Sequence, residues 1–187
     1  MKKEKIRMHG NLRLLTMAAI LSAMSIILGK YLQIPNPLQE LVRISFENMP
    51  VILAGIVMGP VMGAVVGVIA DLVGCFLVGY AVNPIVTLGA AVIGFVAGLS
   101  ARYLFKRYLV GNILLSVFLA HGLGSIVIKS WGLAQWYAAS YHMGFLTLVG
   151  WRAVSYGIVA VLEVVIICVL LKNSALRRVL ERMCERK

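Results

Sequence analysis

Acidic side chains are scarce in this sequence. Seven Asp and Glu residues stand among 187, and charged residues of both signs make up only 13%. Soluble domains carry about 25% charged residues, so this chain lacks the polar surface that folding in water requires. Cysteine is scarce as well. Cys75, Cys168 and Cys184 are odd in number and scattered, with no metal-ligand spacing. They read as packing residues, not as disulfide partners or metal ligands. No G-x-x-x-x-G-K-[ST] stretch occurs; the Gly29-Lys30 pair is followed by Tyr31. The chain therefore has no phosphate loop for ATP. G-x-S-x-G and H-E-x-x-H are also missing. With no nucleophile–base or metal set in their place, the sequence is not that of an enzyme and requires no cofactor.

What is present is hydrophobic. Apolar residues make up 61% of the chain, and the mean hydropathy is +0.93. A membrane-crossing helix needs about 20 apolar residues. The sequence predicts an all-α integral membrane protein of one domain, 1–187, with six spans near 14–32, 42–58, 61–78, 84–104, 112–129 and 146–171. The first run, Leu14–Leu32, is longer than a signal-peptide core and lacks a small-residue cleavage site after it, so it is read as a retained span. The second is unusual: Arg43, Glu47 and Asn48 occupy its first third. Asn48 suits a helix cap and Pro50 a first turn. The wholly apolar part is then Met49–Met58, and the segment before it is expected to enter membrane depth as part of a site. Gly59-Pro60 reads as a tight turn. The stretch Ser130–Phe145 reads as a polar, aromatic loop.

Charge distribution orients this layout. The N-terminal tail holds Lys2, Lys3, Lys5, Arg7 and Arg13, and the loop after span four holds Arg102, Lys106 and Arg107. The C-terminal tail holds Lys172, Arg177, Arg178, Arg182, Arg186 and Lys187. Six spans put these 14 of the 18 basic residues on one side. By the positive-inside rule that side, with both termini, is cytoplasmic. The net charge of +11 therefore points to membrane orientation and not to nucleic acid.

Four cations remain: Lys30, Arg43, Lys129 and Arg152 fall at or near the opposite face. Cations at membrane depth usually face a cavity or a partner, and four together point to a pocket for an anionic ligand. For Lys30 and Lys129 two readings stand, ligand contact or snorkelling to headgroups. Arg43 and Arg152 offer the planar fork that suits a carboxylate; the alternative pairs Arg43 with Glu47 and Arg152 with Asp71. Gly63, Gly67 and Asp71 share one helix face, so Asp71 faces a neighbour, either pairing with a cation or accepting bonds from a ligand. Glu163 reads as a structural hydrogen-bonding residue, and His121, beside Gly122 and Gly124, as a packing or hydrogen-bonding residue, not a metal ligand. Ala19-x-x-x-Ala23 and Gly94-x-x-x-Gly98 allow close helix approach.

The ordered blocks Arg43-Ile44-Ser45-Phe46-Glu47-Asn48-Met49-Pro50, Asp71-Leu72-Val73-Gly74 and Gly79-Tyr80-Ala81-Val82-Asn83-Pro84-Ile85 resemble the substrate-binding S components of energy-coupling factor (ECF) vitamin transporters, most of all the folate-specific members. The resemblance is strongest from Leu14 to Gly98. It implies a six-helix protein that binds a vitamin near the outer face of a bacterial plasma membrane. It also implies docking on a transmembrane T component driven by two cytoplasmic ATPase subunits, with Ala19 and Ala23 matching the family's alanine motif for that docking. Substrate contacts are expected among Arg43, Phe46, Glu47, Asn48, Asp71, Tyr80, Asn83, Lys129, Trp131, Trp136, Tyr141 and Arg152. Aromatic residues suit the rings of folate and cations suit its glutamate tail. A pterin edge, with donors and acceptors, wants an acid or amide such as Glu47, Asn48, Asp71 or Asn83. The rivals are an S component for pantothenate, riboflavin, thiamine or biotin and, outside the family, a membrane scaffold or channel subunit.

Overall fold

The computed structural model describes residues 2–31, 33–34, 44–104, 109–141 and 145–173. Helix α1 (Lys2–Lys30) leads to a two-residue strand, β1 (Gln33–Ile34), which pairs antiparallel with β2 (Ile44–Ser45). Helices α2 (Asn48–Met58), α3 (Pro60–Val78) and α4 (Pro84–Tyr103) follow. Next, α5 (Leu109–Ala120) runs through a π-helical segment (His121–Ile128) into α6 (Lys129–Tyr141), and α7 (Phe145–Lys172) closes the bundle. Among the described residues, five stretches are long and apolar enough to cross a membrane: Leu12–Lys30, Pro60–Val78, Pro84–Tyr103, Val110–Gln135 and Phe145–Lys172. The shorter apolar helix Asn48–Met58 makes up the helical membrane fold with them.

The surface fits a lipid solvent. Phe76, Leu146, Val61 and Ile158 point outward at 60–85% exposure, which would be costly in water and is neutral against acyl chains. Inside, Ile52, Val66, Ile93, Val117 and Ile167 are wholly buried.

Helix α2 explains why the second span looked short. Its 11 residues reach only about 16 Å, half the hydrocarbon thickness. It survives because neighbours enclose it: α1, α3 and α4 pack on it, with further contacts from α5 and α7. Pro50 sits in the first turn, where its missing N–H leaves no bond unmade. The cap differs from expectation. Glu47 holds the N-cap position without a side-chain cap bond, and Asn48 is the first helical residue. Gly59 alone separates α2 from α3, at φ 100°, a conformation that disfavours a side chain. The α2–α3–α4 contact is a backbone contact, since a Cβ on Gly94 would overlap the Gly63 carbonyl.

The fifth span departs most from the sequence reading. The expected span 112–129 and loop Ser130–Phe145 give way to helix that continues to Tyr141. At the join the polar residues turn inward, Lys129 at 5% exposure and Ser130 wholly buried, while Trp131 and Gln135 farther along stay exposed. The polarity of Lys129 and Ser130 reflects a protein interior, not water.

Candidate functional site

Where α1 ends and α2 and α4 begin, a narrow cleft with a cavity volume of about 20 Å³ opens between helices. Its polar wall is Ser25 and Lys30 from α1, Glu47 and Asn48 at the start of α2, Asp71 from α3 and Lys129 from the start of α6. Gly67, Ala70 and Ala90 line it with small side chains. Helix packing creates the space: Gly67 and Ala90 are at backbone contact, and Gly74 lies against the Lys30 stem.

Lys129 Nζ donates to Glu47 Oε1 at 3.2 Å. The Glu47 backbone carbonyl accepts from Ser25 Oγ at 2.6 Å, tying the α2 start to α1. Asp71 Oδ2 accepts from Thr87 Oγ1 at 2.7 Å. Lys30 Nζ lies 5.4 Å from the Tyr80 ring centroid, a cation–π contact at the rim. Two cations and two carboxylates thus line one small space. A wall of this kind can offer both donors and acceptors to a ligand, which a purely basic pocket cannot.

A second polar group lies behind the wall. Asn48 Nδ2 donates to Ser125 Oγ at 3.4 Å. Arg152 donates to the Ser125 carbonyl from Nε at 3.1 Å and Nη2 at 2.9 Å, and its Cζ lies 5.0 Å from the Tyr156 ring. The Tyr156 ring stacks on His121 at 5.3 Å. His121 Nδ1 is 3.1 Å from Ser125 Oγ, and Nε2 is 2.6 Å from Glu163 Oε2. Carboxylate, imidazole and hydroxyl follow the order of a nucleophile relay. All three are sealed at 0–2% exposure, with the Asn48 amide on the hydroxyl, so no substrate reaches that oxygen.

Of the residues expected at the site, the structure gathers Glu47, Asn48, Asp71 and Lys129 around the cleft and links Arg152 to them through Ser125. Arg152 goes to that carbonyl, and Asp71 to Thr87, in place of the alternative pairing of the two. Tyr80 stands at the rim with Lys30. Phe46 is half-buried. Asn83 serves the frame instead: Oδ1 accepts from the Ile85 and Val86 amides, capping α4, while Nδ2 donates to the Gly132 carbonyl at 2.9 Å. Trp131 lies on helix, not loop, and is 56% exposed. Arg43 lies outside the described residues, as do the side chains of Trp136 and Tyr141. Ala19 and Ala23 are both exposed on α1. Sequence reading missed Ser25, Thr87 and Ser125, since nothing marks one serine or threonine among many. It also missed the partnership of His121 with Glu163.

The fold has a known counterpart. A crystal structure of FolT bound with folic acid has the same fold, with a TM-score of 0.64 at 21% identity over 81% of this chain and 86% of that one. No curated protein matches the chain. Residues 13–173 match the family model for the ECF transporter substrate-specific component. That match takes in every described span and the whole cleft, and the chain belongs to the family of ECF transporter substrate-specific components.

Proposed function

We propose that this chain is the folate-binding S component of an ECF importer, capturing folate at the outer face of a bacterial plasma membrane. The observation that carries the reading is the mixed wall of the cleft, in a fold shared with a protein solved with folic acid bound. Glu47, Asp71 and Asn48 supply the acid and amide groups that a pterin edge can bond. Lys30 at the rim suits a carboxylate of the glutamate tail. Lys129 offsets the charge of Glu47 beside it. Arg43, Trp136 and Tyr141 complete the proposed contacts.

In this reading both termini are cytoplasmic, as the 14 basic residues on one side require. Ala19 and Ala23, exposed on α1, form the docking face for a transmembrane T component, and two cytoplasmic ATPases supply the energy. The sequence carries no phosphate loop, and the family resemblance assigns hydrolysis to the partners. A panel of vitamins in a thermal-shift assay on the purified chain tests the ligand. A ligand that binds only the folded state at 100 times Kd stabilises it by about 2.7 kcal/mol, so folate should raise Tm at micromolar concentration. A shift with pantothenate, riboflavin, thiamine or biotin and none with folate would overturn the folate assignment within the family. No shift with any vitamin would favour a scaffold.

A further inference from the structure

The buried group behind the cleft has more structure than a fold needs. His121 and Glu163 are 42 positions apart in sequence and meet at 2.6 Å with 2% and 0% of their side chains exposed. A short contact between two potential acceptors requires a proton between them. An ionised carboxylate in an apolar interior is costly unless partnered, so the pair is unusual for a site that contacts no ligand. It also sits where the helix departs from α geometry. The Lys129 amide bonds back to the Gly124 carbonyl, five residues earlier, and such π turns concentrate at functional sites.

Ser125 is the junction. Its hydroxyl meets His121 and accepts from Asn48, and its carbonyl takes two N–H groups of Arg152. Taken in one direction, the line satisfies each atom in turn. The Asn48 amide donates to the Ser125 hydroxyl, the hydroxyl donates to His121 Nδ1, and Nε2–H donates to Glu163. The carboxylate therefore fixes the imidazole tautomer, the tautomer fixes the hydroxyl, and the hydroxyl holds the amide that lines the cleft. The Tyr156 ring lies between this line and Arg152, stacked on His121 on one side and under the guanidinium on the other.

We propose that Glu163 and His121 are positioning residues for ligand recognition: through the Ser125 hydroxyl they set the orientation of Asn48, so affinity at the cleft is controlled from a pair the ligand never touches. The proposal rests on the cleft being the ligand site.

A double-mutant cycle read by folic acid titration of the purified full chain tests it. Ser125→Ala cuts the line at its junction while leaving the His121–Glu163 contact intact. It should weaken folic acid binding about 10-fold in a chain that stays folded at the assay temperature. Glu163→Gln replaces a pure acceptor with an amide that can reverse the His121 tautomer, and should weaken binding by a similar factor. The deciding readout is coupling. If the pair acts through Ser125, Glu163→Gln adds little to a chain already carrying Ser125→Ala. Should Glu163→Gln fail to fold, His121→Gln combined with Ser125→Ala gives the same test from the other member of the pair. Losses that simply add, or a Ser125→Ala chain that binds like wild type, overturn the positioning role. Wild-type protein that binds no folic acid overturns the ligand reading, so the two failures are distinct.

Discussion

Two acid–base contacts, Lys129–Glu47 and His121–Glu163, take their bases from one helical run and their acids from the start of α2 and from α7. The first opens on the cleft, with 22% of the Glu47 side chain exposed. The second is closed on all sides. Both satisfy the rule that charge at membrane depth needs a partner. They differ in what can replace that partner. A ligand group can reach Glu47 or Lys129 and exchange one contact for another at little net cost. Nothing can reach Glu163, so its contact is permanent and its value lies in the geometry it imposes on Ser125.

The sharpest way to break the comparison is to remove one partner from each pair. His121→Ala leaves Glu163 in the core without its proton partner. Loss of one member of a buried pair costs about 3–5 kcal/mol, so this variant should lose most of its thermal stability in detergent. Lys129→Ala should cost far less, because Glu47 can hydrate through the cleft. Equal losses of Tm in the two variants would remove the distinction.

The next effect is on binding. Lys129→Gln should keep the fold and weaken folic acid by about 10- to 150-fold, the range for one charge-assisted hydrogen bond of roughly 1.5–3 kcal/mol. Isothermal titration reads this directly. A variant that folds and binds unchanged would place the ligand elsewhere. Lys30, half-exposed at the rim, should matter less. An exposed charge pair contributes about 0.2–1 kcal/mol, so Lys30→Gln should lose no more than about 5-fold for folic acid. It should lose nothing for a pterin without the glutamate tail. Losses that match for both ligands would show that Lys30 does not meet the tail. Smallest of all at the cleft is Ala23→Leu, on the outer face of α1. It should leave vitamin affinity within error while blocking uptake in cells that carry the complete transporter, because close helix approach needs small side chains. Normal uptake would remove this face from docking.

The first half of the molecule was the more legible half. Asn48 and Pro50 mark the start of a short helix, Gly59-Pro60 a turn, and Gly63 and Gly94 a close crossing, each through local chemistry that one chain segment carries by itself. Glu47, Asn48 and Asp71 were visible as polar residues in apolar surroundings. The second half hides its devices in non-local contacts. No proline follows Pro84, so nothing in Ser130–Tyr141 stops a helix. Yet its polar composition reads as loop until the neighbours that bury Lys129 and Ser130 are known. A π turn has no compositional mark beyond two glycines near His121. The pairing of His121 with Glu163 depends on how α7 packs against the π segment, which neither sequence neighbourhood reveals.

The most direct test of the account is equilibrium binding of radiolabelled folic acid to the purified chain alone, without T component or ATPases. The account predicts saturable binding at one site per chain, weakened by Lys129→Gln, by Glu47→Gln and by Asp71→Asn in chains that stay folded. Absence of saturable binding, or one-site binding that none of these three substitutions changes, would contradict it.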